Sequence, residues 1–110
     1  MTVPFSVIVL NEATNEQINA VHEALKQHTK GWWHHFDNTW IVGGQLTAGE
    51  WLDVVTPLIP EGRASVLVVQ LPAEVQQRQS WAYYGIEGPK RSMWLAQNLG
   101  ESARVRANVP

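Results

Sequence analysis

The residues whose types and spacing suggest chemistry lie in one short run, Gly31-Trp32-Trp33-His34-His35-Phe36-Asp37-Asn38-Thr39-Trp40-Ile41-Val42. It holds three of the six tryptophans and two of the four histidines. Adjacent histidines suggest a metal, but neighbours in one strand project to opposite faces and cannot chelate the same ion. His22 and His28 stand six residues apart on a predicted helix, well over a right angle around its axis. No mononuclear metal site is expected. The aromatic rings carry a different chemistry: each unpaired nucleobase stacked on one contributes about 1–3 kcal/mol. Trp32, Trp33, Trp40, Trp81, Tyr83 and Tyr84 are the candidates, their alternatives being core or partner interface. Trp51 and Trp94 fall on helix faces at core spacing and read as packing.

Cations to meet a phosphate are few. Lys90 and Arg91 open a predicted C-terminal helix, Arg104 and Arg106 alternate in the tail, and Arg78 precedes the Trp81 segment. The net charge of −2 gives no global pull on nucleic acid, so phosphate binding needs a local patch. There is no cysteine, which excludes disulfides, thiolate metal sites and cysteine nucleophiles. Ser65, Ser80 and Ser92 lack a nucleophile-elbow pattern, and Gly43-Gly44 is no phosphate loop. The apolar runs fall far short of the ~20 residues of a membrane span, and no leader pattern precedes Val7. A cytoplasmic protein without a cofactor is the expectation.

These residues need elements to hold them. At 110 residues, 45% hydrophobic and 16% charged, the chain reads as one globular domain. Phe5 to Leu10 is nearly all apolar and predicts a central strand. Thr14 with Gln17 is a capping box, opening a helix to about His28 with Ile18, Val21 and Leu25 inward. Two strands joined at Asp37-Asn38 follow, ending at Gly43-Gly44. Thr47 with Glu50 opens a second helix carrying Trp51, Leu52, Val55 and Leu58, which Pro57 stops or kinks. After a turn at Glu61-Gly62-Arg63, Ala64 to Leu71 predicts a second central, buried strand. The order strand, helix, strand, strand, helix, strand predicts an α+β, ferredoxin-like βαββαβ sandwich with both helices on one sheet face.

Ser80 to Ile86 predicts an added strand at a sheet edge. Gly88-Pro89 starts a last short helix, stopped by Gly100, with Trp94, Leu95 and Leu99 apolar. The domain is thus expected over residues 1–100, with a loose polar tail over 101–110.

At the hairpin the chain resembles the SinR-like group of small proteins related to the second CRISPR-associated core protein, the ferredoxin-like subunit of the spacer-adaptation complex. The likeness rests on Val9-Leu10-Asn11, on Trp33-His34 followed by Asp37 to Val42, and on the helix after Thr47. It extends to the strand Val66 to Leu71 and to Trp94-Leu95 before Asn98-Leu99, covering roughly residues 5 to 99. The resemblance implies a homodimer with packed open sheet faces, and a partner in DNA or RNA. It also implies a metal-dependent nuclease carboxylate at the end of the first strand. That position is Asn11, whose amide brings no charge to a hard cation; Glu12 and Asp37 are the remaining polar candidates there.

Two functions follow as expectations. The first is a non-catalytic homodimer binding nucleic acid, with Lys90, Arg91, Arg104 and Arg106 on phosphates. The second is a small-nucleotide binder or sequestering protein stacking its ligand on Trp33, Trp40, Trp81 or Tyr84, with an arginine on the phosphate; His34 belongs to the same set of candidate binding residues. A degenerate nuclease using the Asn11, Glu12 and Asp37 strand end is the third reading.

Overall fold

A computed structural model describes residues 4–60, 62–72 and 79–107. Arg78, Glu61 of the predicted turn and the last three residues of the tail lie outside the described residues. The chain divides into two compact units, Met1–Leu71 and Pro72–Pro110.

The first unit contains strand β1 (Phe5–Asn11), helix α1 (Asn15–His28), strands β2 (Gly31–Phe36) and β3 (Thr39–Gly43), helix α2 (Ala48–Val55) and strand β4 (Ser65–Gln70). The sheet order is β2-β3-β1-β4, and every neighbouring pair is antiparallel. Each helix therefore links two strands that flank a third, which is the ferredoxin-like split βαβ arrangement made twice. The register of β1 sorts the side chains. Ile8 pairs with Trp40 on one side and Val68 on the other, and Leu10 pairs with Val66. Together with Val42 they meet Val21 and Leu25 of α1 and Trp51 and Val55 of α2 in one buried cluster.

Both capping boxes form: Thr14 and Thr47 each accept from the third-residue backbone, and Gln17 and Glu50 reach back. Ile18 packs against the core from part-buried positions, while Leu52 is exposed, so the α2 stripe is narrower than expected. Pro57, which has no N–H to continue α2, sits in a 3₁₀ turn over Thr56–Leu58.

Two expectations about strands are corrected. The segment around Val66 to Leu71 is not central: β3 holds the second central place and β4 is an edge. Its apolar character on both sides has another cause. Val66 and Val68 face the helices, while Leu67 and Val69 join Val7, Val9 and Ile41 on the opposite face, where Leu67 is 60% and Val69 48% exposed. The second correction concerns the C-terminal third. Ala82–Gly85 (β5) does not extend the large sheet; it pairs in parallel with Arg104–Ala107 (β6) in a sheet of two strands.

The tail is thus not loose over 104–107. Parallel neighbours need a crossover, and helices α3 (Gly88–Arg91) and α4 (Met93–Leu99) provide it. The expected single helix breaks at Ser92, whose hydroxyl donates to the Gly88 carbonyl at 2.6 Å. Serine back-bonding of this kind bends a helix. Gly100 ends α4 with φ of 84°, a conformation suited to glycine.

Candidate nucleic-acid interface

The aromatic hairpin turns at Asp37-Asn38, with one extra residue of β2 between the pairs Trp33–Ile41 and Phe36–Thr39. This bulge puts Trp33 and Phe36 on the same face, the one away from the helices, in spite of their odd spacing. Their rings meet edge to face at 4.9 Å, and His35 packs against Trp33 at 5.5 Å. Trp33 is 4% exposed and presents little ring to a ligand.

On the helix side, Trp40 is wholly buried under α1 and donates its indole N–H to His22 Nδ1 at 3.1 Å. A stacking role for Trp40 is therefore corrected: a central-strand residue beneath a helix has no accessible face. His34 lies parallel to Trp40 at 4.3 Å and stacks on His22 at 4.9 Å. Its Nδ1 is 3.0 Å from the Thr39 carbonyl, an acceptor, so Nδ1–H donates there. The indole N–H fixes His22 in the opposite tautomer, with its proton on Nε2. Burial, reinforced by His34 and Lys26, holds the His22 pKa below its ordinary value, with Glu23 opposing. His34 and His35 thus diverge, as their adjacency in one strand predicts.

The polar strand end is assembled around Asn38. Its side chain donates to the Leu10 carbonyl at 3.1 Å, and its own carbonyl accepts from the Leu10 N–H at 2.8 Å. Asn11 and Asp37 are exposed. Glu12 follows β1 in the left-handed region, φ 56°, and its carboxylate is 3.3 Å from Arg63. Among the described residues, no three His, Asp or Glu side chains gather closely enough to hold a metal ion.

The second unit brings other predicted residues together. The parallel register sets Ala82 beside Arg104 and Tyr84 beside Arg106. Because strand side chains alternate, these four share one face, while Tyr83 and Val105 share the other. Tyr84 is 69% exposed, Tyr83 is buried, and both arginines are exposed. Ala82, Tyr83, Tyr84, Arg104 and Arg106 line a groove of about 350 Å³. Among the described residues neither arginine has a carboxylate within ion-pair distance.

Helix α3 packs against both strands. Its two cations differ from those of β6: Lys90 and Arg91 approach Glu87 at 4.0 and 3.9 Å, so their charge is partly met. Trp81, just before β5, donates its indole N–H to the Gly100 carbonyl at 2.9 Å. Its carbonyl accepts from the Ala103 N–H at 2.8 Å. Trp81 therefore fixes the approach to β6 from the end of α4. It positions the groove. Sequence reasoning missed the pairing of β5 with β6, whose one visible signal was the polar-apolar alternation of Arg104-Val105-Arg106.

Among the hairpin rings, Phe36 is 47% and Trp32 37% exposed, and the Lys26 ammonium lies 5.8 Å from the Trp32 centroid. No helix among the described residues is long and apolar enough to cross a membrane. Neither a scan against protein-family models nor searches of the curated proteins and the solved structures finds a match.

Proposed function

We propose that the protein binds nucleic acid, as a homodimer and without catalysing a reaction on it, through the β5–β6 face. One observation carries the reading: an exposed tyrosine ring in register with an arginine, with a second arginine two residues along the same strand. An aromatic face takes a base, and guanidinium groups take phosphate in a bidentate manner. In a chain of net charge −2 such a pairing is a local patch, not part of a broad basic surface. The exposed apolar residues of β4 on the sheet face away from the helices support the dimer. Leu67 and Val69 there suit burial against the same face of a second copy, related by a two-fold axis.

Native mass spectrometry of the protein mixed with short oligonucleotides tests both parts. The expected spectrum shows a dimer carrying oligonucleotide. Tyr84→Ala combined with Arg104→Ala and Arg106→Ala should retain the dimer and lose the bound mass. Equal binding by the triple variant would overturn the assignment of the face. Leu67→Lys with Val69→Lys should give a monomer; a dimer unaffected by that pair would overturn the sheet-face interface.

A further inference from the structure

We infer that the β5–β6 face takes a single strand of at least two nucleotides, in preference to a duplex or a free mononucleotide. The inference rests on the reading of that face as a base-and-phosphate site. Its first ground is the spacing of the cations. Arg104 and Arg106 point the same way from one extended strand, which separates their Cα atoms by about 6.6 Å at ~3.3 Å per residue. Two successive phosphates satisfy both guanidinium groups where they stand. A lone phosphate would engage one, or draw two like charges together against their repulsion.

The second ground is the ring. Tyr84 stands beside Arg106 and is largely exposed. Stacking on it needs a base whose face is open, and paired bases inside a duplex present only edges and backbone to a sheet surface. The third ground is the residue opposite Arg104. Ala82 has no side chain beyond Cβ, so the groove keeps room there for the neighbouring sugar and base. A stacked base at Tyr84, an open berth at Ala82 and two phosphate contacts fit a short stretch of single strand.

Two cations also set the salt dependence. For a single strand, log K falls with log salt at about 0.7 per phosphate contact, which gives a slope near −1.4 for two. Removing either arginine should bring the slope to about −0.7.

The test is fluorescence anisotropy with a labelled single strand of roughly ten nucleotides, a length within the usual site range. Competitors are an unlabelled trinucleotide, AMP and the corresponding duplex. The trinucleotide should displace the label, with AMP and the duplex weaker by roughly tenfold or more, the loss expected for one stack or one phosphate contact. Tyr84→Ala should weaken binding by a similar factor without altering the salt slope, whereas Arg104→Ala and Arg106→Ala should each lower it. All three positions are exposed, and an unchanged circular dichroism spectrum confirms that the variants fold.

Competition by AMP as strong as by the trinucleotide would overturn this inference and leave the base-and-phosphate reading standing. Equal binding of the duplex, unaffected by Tyr84→Ala, would also overturn it. No binding of the strand or of AMP would overturn the inference and the reading together.

Discussion

At the residue scale, His34 of the hairpin packs on the core residue Trp40, while tyrosine and arginine farther along the chain form the proposed binding face. The Trp40–His22 bond is the clearest case. An indole N–H can only donate, so His22 must offer a lone pair and stay neutral. Its pKa is lowered by burial, by His34 and by Lys26. The unfolded chain therefore takes up that proton more readily than the folded one. The His22 contribution to stability is full above the ordinary histidine pKa of about 6.5 and is lost as pH falls through that value towards the lower folded one. Thermal melts from about pH 7.5 to 5 should show a decline that is shallower in His22→Gln. An equally steep decline in that variant would rule out the assignment. Trp40→Phe should cost about 1 kcal/mol for the lost hydrogen bond, beyond any packing change. In the sequence, four histidines and six tryptophans were visible. Which of them met was not, because α1 and β3 are brought together only by tertiary packing.

At the element scale, local chemistry was the most legible part of the chain. Thr14–Gln17 and Thr47–Glu50 form the boxes that their spacing predicts, and Pro57 ends α2 where its missing N–H requires. Less visible was Thr29, the C-cap of α1. Its hydroxyl accepts from the Gly31 and Gly43 N–H groups, each at 3.2 Å, and donates towards the carbonyls of the same two glycines. One small side chain thereby joins the end of a helix to the start of β2 and the end of β3. Thr29→Val keeps the shape and removes the polar atoms, leaving part-buried backbone groups unpaired. It should destabilise by about 1–3 kcal/mol in chemical denaturation; a change under about 0.5 kcal/mol would show that water replaces the hydroxyl. The β2 bulge and the break at Ser92 were not legible, since both depend on pairing or back-bonding that spacing does not encode. Gly85 adds a constraint on β5. A Cβ there would come within 2.8 Å of the Tyr83 hydroxyl, so Gly85→Ala should disturb the strand that carries Tyr84.

At the scale of the whole molecule, the six-element order of the first unit was legible because each helix separates strands of differing hydrophobic pattern. The place of β4 was not. A strand apolar on both sides reads as central, whether its second face lies under a helix or on an open apolar sheet surface. Nor was the second unit legible, because a four-residue strand in a polar tail has too little pattern to stand out. That unit carries the proposed base-and-phosphate site on β5 and β6. The most direct test is to titrate the isotopically labelled protein with a short single-stranded oligonucleotide and follow its backbone amide resonances. Shifts are expected to concentrate at Ala82 to Gly85 and Arg104 to Ala107, with the Trp32 to Phe36 amides little changed. Shifts centred on the hairpin, or none at saturating oligonucleotide, would contradict it.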